Sequence, residues 1–528
     1  MSVLDCYALN RRRLLRTFGA SAVTALSMPL ASGLALAQPV FAQYPFQLGV
    51  ASGDPWPDGF VIWTRLAPEP FEIGYGMPMA PVEVSWEVAA DRGFKTVVAK
   101  GTAIAPPELG HSVHVEVGGL ESGRDYWYRF AAGKERSLAG RARTAPAIGA
   151  AVDRVRFAVA GCQNYENGWY TAYRRLAQDA PDFVFQYGDY IYEGRGNRVW
   201  NGPNGPVENV RQHFGSEIYT LDDYRRRYAQ YKMDADLQAA HAAAPWWVVW
   251  DDHETDNNWA GEIDQDNTDP KLFNLRRQAA AQAYYENMPL RAGSFPAGAA
   301  IQIYRRQAYG QLLQLNLLDT RQFRTDQPCG DKMVVCGALD RPEAEMMGAR
   351  QEKWLIEGLT SSKSTWNVIA QQVMMMDLDR DPGPDVVVNP DSWAGYRTPR
   401  ARILKAIRDR KVVNPVVLTG DEHQNFAGEL QIDGSRPEAR PIAPEFVVTS
   451  ISSGGDGVDQ TEQYAKIQAA NPQLKFNNSQ RGYAICDVTP KTWTTEFKVL
   501  DAITRRDGVL TTRKKLVVEA GDPHLAEA

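Results

Sequence analysis

Residues 155–193 constrain the fold of this chain more than any other stretch. An apolar run at 155–160 ends in a loop, a helix-like segment follows, and a second apolar run leads into another loop. This order predicts a βαβ unit with a right-handed crossover. Because such a crossover brings both loops to the same edge of one sheet, Cys162, Asp189 and Tyr192 should lie within reach of one another. A thiolate, a carboxylate and a phenolate together suggest a hard, highly charged metal ion.

The N-terminal residues have the layout of an export signal. Tandem arginines at 11–13 precede a weakly apolar stretch rich in Ser, Gly and Ala, and a small-x-small site ends at Ala37. These features favour twin-arginine export, so we predict a signal peptide at 1–37, the twin-arginine machinery as a partner and a periplasmic or secreted location. A stable membrane anchor is disfavoured, because a spanning helix needs about 20 mostly apolar residues.

Two domains are predicted after the signal. Residues 44–146 contain short alternating runs separated by Gly- and Pro-rich turns, which predicts a small all-β sandwich of fibronectin or immunoglobulin type. Residues 154–515 alternate between strand and helix patterns, which predicts one large α/β domain. The net charge of -6 provides no basic surface, so nucleic acid is not expected as a specific partner.

The cysteines differ in their surroundings. Cys329 and Cys336 flank a short segment and could form a disulfide in an oxidising compartment. Cys486 lies in an alternating strand pattern and is interpreted as structural. Cys162 follows a strand and a glycine, which favours a functional role over a buried structural one.

Three strand-end loops carry carboxylate or imidazole groups, at 188–192, 251–254 and 420–423. Together with Cys162 they predict two metals that share a carboxylate, for which Asp189 is the best candidate. One metal would take Cys162, Asp189, Tyr192 and His423, a donor set that suits trivalent iron. The ligands proposed for the second metal are mostly oxygen donors and suit Ca²⁺, Mg²⁺ or Mn²⁺ over zinc: Asp252, Asp421 and either Asn257 or Asn258.

The two loop histidines, His253 and His423, have two possible roles. One can be a metal ligand while the other donates a proton to the leaving alkoxide. Arg321 and Arg324 follow a strand and could contact phosphate, but solvent exposure is the more common situation for arginine. Trp393 and Tyr396 could form the rim of a substrate entrance or simply pack inside the protein.

These motifs resemble the PhoD alkaline phosphatases of the calcineurin-like metallophosphoesterase superfamily. Three residues distinguish this pattern from the wider superfamily: Cys162, Asp252 and Asp421 stand where an Asp, an Asn and a His are usual. The resemblance covers nearly the whole chain, and its motifs are Gly161-Cys162, the segment 188–193, the segment 251–254 with Asn257-Asn258, Gln371-Gln372, the segment 391–396 and the segment 420–423.

The resemblance implies a four-layered αββα sandwich after the small β-sandwich. It also implies a dinuclear site with Fe³⁺ and Ca²⁺, with Mg²⁺, Mn²⁺ or Zn²⁺ as alternatives for the second metal. A metal-bound hydroxide would hydrolyse phosphate mono- and diesters at alkaline pH. Asp189 and His253 would be the catalytic residues, with His253 assisting the leaving group. The implied metal ligands are Cys162, Asp189, Tyr192 and His423 for iron, and Asp189, Asp252, Asp421 and Asn258 for calcium.

Two other functions stay open at this point. The same machinery could act as a phospholipase D-type phosphodiesterase on lipid headgroups, or the chain could be a non-catalytic surface-binding protein. The resemblance also leaves open whether the C-terminal run after Thr511 forms a lid helix over the site.

Overall fold

The computed structural model describes residues 39–202, 205–433 and 440–528, and residues 41–528 form one compact unit. The predicted signal peptide at 1–37 lies outside the described residues. Within the described part of the chain, every helix is too short or too polar to span a membrane.

The elements are numbered here in chain order. The strands are β1 Val50–Trp56, β2 Gly59–Arg65, β3 Val82–Ala89, β4 Val97–Ala105, β5 Ser112–Val117, β6 Asp125–Ala132, β7 Glu135–Arg136, β8 Gly140–Arg143, β9 Val155–Ala160, β10 Val184–Gln186, β11 Val199–Gly202, β12 Gly205–Glu208, β13 Trp246–Val248, β14 Arg305–Tyr309, β15 Leu313–Leu317, β16 Trp366–Ala370, β17 Pro415–Thr419, β18 Asn425–Leu430, β19 Ala443–Val447, β20 Leu474–Asn478, β21 Gly482–Val488, β22 Thr492–Leu500, β23 Leu510–Glu519 and β24 Ala526–Glu527. The α-helices are α1 Thr171–Asp179, α2 Leu221–Lys232, α3 Ala235–Ala243, α4 Pro270–Asn287, α5 Gly348–Ser361, α6 Arg397–Asp409 and α7 Glu462–Ala470.

Several helices begin at residues suited to capping. Thr220 and Asp223 form a reciprocal capping box at the start of α2. The Asp234 carboxylate accepts two backbone N–H groups at the start of α3. Asp269 caps α4, where Pro270 occupies the first helical position and has no N–H to leave unpaired. These side chains fix where the helices begin.

Two mixed sheets form the centre of the molecule. The first has ten strands in the order β24-β23-β22-β21-β9-β10-β13-β1-β2-β5, and the second has seven in the order β14-β15-β16-β17-β19-β18-β20. Strands β9, β10 and β13 are parallel neighbours in the first sheet. Strands β15, β16, β17 and β19 are parallel neighbours in the second. The predicted βαβ unit is therefore confirmed as β9-α1-β10.

The side-chain alternation of the strands produces four layers. Phe157 and Val159 of β9 pack with Leu315 and Val368 of the second sheet, so the two sheets share one apolar core. The intervening Ala158 faces the opposite way, into a core that includes residues of α1, α3 and α4. On the outer face of the second sheet, residues of β16 and β17 pack with α5, α6 and α7. The predicted αββα architecture is confirmed.

The N-terminal strands do not form an isolated sandwich. Strands β1, β2 and β5 extend the ten-stranded sheet, because β1 pairs in parallel with β13 at Gly53 and Trp246. A Cβ atom at position 53 would lie 2.5 Å from the Pro289 carbonyl oxygen, so only glycine permits this close approach. The second N-terminal sheet, β4-β3-β6-β7 with β8 beside β6, packs on these strands around a separate core.

Three features outside the site agree with or extend the sequence analysis. The Cys329–Cys336 disulfide is present, as predicted. Cys486 is a buried free cysteine in β21, in agreement with a structural role. The C-terminal run forms β23 and β24 at the edge of the ten-stranded sheet and does not form a helix.

Candidate active site

Loops at the carboxyl ends of β9, β10, β13 and β17 meet at one edge of the two sheets, as the βαβ topology requires. Five site residues adopt left-handed backbone conformations: Cys162 at φ 50°, Asp189 at 54°, Asn258 at 49°, Asp421 at 65° and His423 at 54°. Such conformations cost about 1–3 kcal/mol each at a residue other than glycine and are concentrated at functional sites. The loops are therefore held in shape by their surroundings.

The first cluster combines Cys162, Asp189 and His423, whose ligand atoms lie within 4.8 Å of one another. The Tyr192 hydroxyl donates to Asp189 Oδ2 at 2.8 Å and lies 3.1 Å from His423 Nε2. Burial and the neighbouring Asp189 raise the pKa of the Cys162 thiol and of the Tyr192 phenol well above their usual values. Without a cation both groups are protonated, and a cation bound among them would favour the thiolate and the phenolate.

A second cluster lies beside the first. Asp251, Asp252 and Asp421 place carboxylate oxygens within 4.8 Å of one another. Asp189, Asp252 and His253 form a further group within the same distance. Asp189 therefore belongs to two of these groups, one with Cys162 and His423 and one with Asp252 and His253, and Asp252 links the second group to the carboxylate cluster. That is the arrangement expected of a bridging ligand.

The donor atoms of these clusters fit cations. Three buried carboxylate oxygens, Asp189 Oδ1, Asp251 Oδ2 and Asp252 Oδ1, have no hydrogen-bond partner within the described part of the chain. Leaving such an oxygen unpaired in the protein interior costs about 1–3 kcal/mol, and more when it is charged. Burial and the nearby Asp252 raise the pKa of Asp189 to about 7, although His253 opposes this shift. A cation among these oxygens would pair them and would also stabilise the charged form of Asp189.

His253 is oriented by a carboxylate. Its Nδ1 lies 2.7 Å from Glu193 Oε2, and its ring stacks on Tyr192 with centroids 4.0 Å apart. Burial lowers the pKa of His253, but the charges of Glu193 and Asp252 outweigh it and raise the pKa well above the usual value. Because Glu193 occupies Nδ1, Nε2 is the ring nitrogen left to carry a proton to a ligand.

A buried glutamate connects two of the loops. The carboxylate of Glu254 accepts the backbone N–H groups of Asp189 at 3.1 Å, Tyr190 at 2.7 Å and Asp251 at 2.9 Å. It is completely buried. Glu254 therefore fixes the relative positions of the loops after β10 and β13, and it stabilises the left-handed backbone of Asp189.

Arg321 lies beneath the carboxylate cluster. Its guanidinium is fully buried, donates to Asp251 at 2.6 Å and makes two hydrogen bonds to Asp391 at 2.9 and 2.8 Å. It also lies 3.8 Å from Asp252 and 3.9 Å from Asp421. The expectation of a solvent-exposed Arg321 is wrong, because the acidic residues brought together by the fold surround it.

Arg324 is buried as well, so its predicted exposure is also wrong. It pairs with the Asp391 carboxylate and donates to the Asp391 carbonyl at 3.1 Å. Trp393 and Tyr396 are fully buried: the Trp393 indole donates to Gln371 at 2.9 Å, and the Tyr396 hydroxyl donates to the Thr325 carbonyl at 2.7 Å. Of the two interpretations of these aromatic residues, internal packing is the correct one.

Asn258 connects the carboxylate cluster to the disulfide loop. Its backbone N–H donates to Asp252 Oδ2 at 2.8 Å, and its side-chain amide donates to Asp331 at 2.6 Å. Asp331 lies between the two bonded cysteines. Asn257 instead donates from its side chain to Gln265, so Asn258 is the better placed of the two candidate asparagines.

The structure brings together the predicted residues Cys162, Asp189, Tyr192, Asp252, Asn258, Asp421, His253 and His423. The sequence analysis missed Asp251 as a member of the carboxylate cluster, although it is the first residue of a loop that the analysis singled out. It also missed the supporting roles of Glu193, Glu254 and Asp391, whose partners are distant in sequence. The assignment of individual ligands stays a prediction.

Comparisons with known proteins agree with this fold and site. The family model of the PhoD-like phosphatase matches residues 157–497, and that of the PhoD-like phosphatase N-terminal domain matches residues 33–146. The chain is 44% identical to alkaline phosphatase D of Bacillus subtilis over 518 residues, covering 97% of this chain and 88% of that protein. A solved structure of PhoD is similar with a TM-score of 0.90, 45% identity and 93% coverage of each chain.

The fold, the carboxylate-rich site and these similarities define a phosphoric ester hydrolase. The chain belongs to the PhoD-like phosphatase family, and its activity is that of an alkaline phosphatase of this type. A dependence on metal ions follows from this membership, in agreement with the clusters and their unpaired buried oxygens.

Proposed function

We propose that this protein is an exported phosphatase that hydrolyses phosphate mono- and diesters at a dinuclear metal site. The observation that carries the proposal is the position of Asp189, which belongs both to the thiol-containing cluster and to the group with Asp252 and His253; Asp252 in turn belongs to the carboxylate cluster. Two cations held about 3.5–4 Å apart would supply a clamp for the attacking and leaving oxygens of an in-line displacement at phosphorus.

The two clusters suit different ions. Cys162, Asp189, Tyr192 and His423 would hold Fe³⁺, because a thiolate and a phenolate are strong donors to a trivalent ion. Asp189, Asp252, Asp421 and Asn258 would hold Ca²⁺, with Mg²⁺, Mn²⁺ or Zn²⁺ as alternatives, and Asp251 supplies a further unpaired oxygen at this cluster.

His253 is the proposed proton donor. In hydrolysis, one P–O bond forms to an oxygen derived from water, the ester P–O bond breaks, and the leaving alkoxide needs a proton. The Nδ1–Glu193 contact keeps His253 Nε2 available to supply that proton, and the Glu193 carboxylate favours the protonated ring. Asp189 is catalytic through its position between the two clusters.

Export and domain organisation are part of the proposal. The signal at 1–37 would direct the folded protein through the twin-arginine machinery to the periplasm or the exterior. The Cys329–Cys336 disulfide supports an oxidising location. Residues 44–146 would serve as a structural β-sandwich domain and residues 154–515 as the catalytic domain.

The test compares Asp189→Asn with a matched control, Asp179→Asn, whose carboxylate lies outside the site and pairs with Lys498. We expect Asp189→Asn to lose at least about 10³-fold in kcat on nitrophenyl phosphate esters and to contain less metal per chain. The control should keep its metals and most of its activity. Full activity with two bound metals in Asp189→Asn would contradict the bridging role.

One observation favours a second candidate function, phospholipase D-type action on lipid headgroups. Met333 and Val335, in the disulfide loop, and Val386, in the long loop opposite, are about half exposed or more, and a β-bridge joins Val335 to Val387. The same disulfide loop reaches the site through Asp331. This apolar rim would favour esters in a bilayer, so equal rates on dispersed and bilayer substrates would count against it. The enzyme family excludes the hypothesis of a non-catalytic binding protein.

A further inference from the structure

A serine from a fifth strand-end loop reaches the thiol-containing cluster. Ser453 lies in the loop after β19, and β19 runs parallel to β17, so both strands end at the same edge of the second sheet. The Ser453 hydroxyl oxygen lies 2.5 Å from the Tyr192 hydroxyl oxygen and 2.8 Å from the Cys162 carbonyl oxygen. Ser453 is 1% exposed, so solvent has almost no access to these contacts.

The backbone around Ser453 fixes the position of its side chain. The Ser453 N–H donates to the Cys162 carbonyl at 3.3 Å. Further along the loop, the Arg481 guanidinium donates to the carbonyls of Gly455 at 2.8 Å and Gly454 at 3.1 Å. Because the loop is already held in this way, little conformational entropy remains to be lost when the hydroxyl forms a hydrogen bond.

The hydroxyl hydrogen of Ser453 has two possible acceptors. The hydroxyl oxygen accepts the Asn164 N–H at 3.2 Å, and its single hydrogen can go either to Tyr192 or to the Cys162 carbonyl. The Tyr192 hydroxyl donates its own hydrogen to Asp189 Oδ2 at 2.8 Å, so its oxygen is able to accept.

The charge of Tyr192 decides between these two acceptors. A hydrogen bond to a charged oxygen is roughly twice as strong as one to a neutral oxygen, so a phenolate attracts the Ser453 hydrogen more strongly than a carbonyl does. An O–H···O⁻ hydrogen bond is typically about 2.5–2.7 Å long. The distance of 2.5 Å between the Ser453 and Tyr192 oxygens lies in this range.

We propose that Ser453 is a positioning residue that donates a hydrogen bond to Tyr192 when Tyr192 binds iron as a phenolate. The inference rests on the proposed function, because it takes Tyr192 as an iron ligand. The hydrogen bond would orient the tyrosine ring and withdraw electron density from its oxygen. Partners of this kind, which contact a ligand and not the metal, typically contribute about 10–100-fold to metal affinity or activity.

The adjacent serine, Ser452, provides a matched control. It is also buried, and its hydroxyl donates to the Asn164 carbonyl at 2.7 Å. Ser453→Ala and Ser452→Ala therefore remove the same atom from the same loop, but only Ser453→Ala removes a contact with Tyr192. A role confined to holding the loop in shape would give similar results in the two variants.

The experiment measures visible absorption and iron affinity of the full-length protein loaded with Fe³⁺. Loss of the hydrogen bond raises the energy of the phenolate electrons, so the phenolate absorption of Ser453→Ala should move to longer wavelength, and that of Ser452→Ala should not move. Competition with a chelator should show that Ser453→Ala binds iron about 10–100-fold more weakly than Ser452→Ala does. An unchanged absorption maximum in Ser453→Ala, or an equal shift in both variants, would overturn the proposal.

Two further measurements separate this inference from the proposed ligand set. Tyr192→Phe identifies the phenolate absorption as the part of the spectrum that it removes, and an unaltered spectrum in Tyr192→Phe would contradict the proposed function. Combining Ser453→Ala with Tyr192→Phe should cause no further change in the spectrum, because the acceptor is already absent, and an additional shift would overturn the role of Ser453. Similar melting temperatures of the two alanine variants in chelator would show that both are folded, so a difference with iron would support the proposal.

Discussion

Replacing Arg321 by methionine tests whether the carboxylate cluster depends on a buried cation. The substitution removes the direct partner of Asp251 and one of the partners of Asp391, and it removes the positive charge within 4 Å of Asp252 and Asp421. Arg324 still pairs with Asp391. The main cost is therefore the charge of Asp251, which stays buried without a cation.

Breaking a buried ion pair by removing one partner costs about 3–5 kcal/mol. At about 2 cal/mol/K of unfolding entropy per residue, a chain of 528 residues has an unfolding entropy of about 1 kcal/mol/K, so the melting temperature should fall by about 3–5 °C. Added Ca²⁺ should restore more stability in Arg321→Met than in the natural sequence, because a divalent cation can take over the lost charge compensation.

The assay is thermal unfolding followed by tryptophan fluorescence, in chelator and then with added Ca²⁺. The matched control is Arg513→Met, which removes a surface partner of Asp459: these side chains are 41% and 57% exposed, so the loss should be at most about 1 kcal/mol. In chelator, a melting temperature of Arg321→Met that lies within about 1 °C of that of the unmodified protein would refute the reasoning, because the expected fall is about 3–5 °C.

Three further predictions concern other parts of the structure. Joint replacement of Cys329 and Cys336 by serine opens a loop of eight residues and should lower the free energy of unfolding in urea by about 2.5 kcal/mol. It should also lower the metal content, because the hydrogen bond from Asn258 to Asp331 in that loop would be held less firmly. An unchanged urea midpoint would contradict the expected loss of stability. Cys162→Ser should remove the thiolate contribution to the visible absorption of the iron-loaded protein and leave that of the Tyr192 phenolate, and an unaltered spectrum would remove the thiolate from the metal. His114 donates from Nε2 to two backbone carbonyls, and its pKa is lowered to about 4, chiefly by burial. Between about pH 6.5 and pH 4 the folded state thus binds fewer protons than the unfolded state, so the free energy of unfolding should fall by at most about 3 kcal/mol as the pH is lowered through this range. Urea titrations at several pH values should show a weaker pH dependence of the free energy of unfolding in His114→Gln.

Local patterns were sufficient to predict the elements that carry the site. The apolar run at 155–160 coincides with β9, and the run before Asp251 contains β13. The convergence of the loops followed from the handedness of a βαβ crossover, which holds irrespective of side-chain detail. Element boundaries depend on local backbone geometry: helix α5 begins at Gly348, where the left-handed backbone of that glycine marks the transition from the preceding loop.

The features that the sequence did not predict depend on contacts between distant residues. The pairing of β1 with β13 joins residues nearly two hundred positions apart, at a single register position, Gly53 opposite Trp246. No alternation within either strand contains that information. The burial of Arg321 is equally hard to predict from local sequence, because its carboxylate partners lie about 70 residues away on both sides. In the absence of such knowledge, solvent exposure is the default expectation for arginine.

The supporting residues also explain how the site loops keep unfavourable backbone conformations. Asp189 has positive φ, and its N–H donates to Glu254; Asp421 and His423 have positive φ, and the residue between them, Glu422, pairs with Arg380 at 2.6 Å. Each contact contributes about 1–3 kcal/mol when a charged group is involved, which is similar to the cost of one such conformation. The candidate ligands alone are therefore not enough to make this site. A related sequence that kept every candidate ligand but lacked Glu254 or Arg380 would have loops free to relax to ordinary φ values, and its donor atoms would no longer converge.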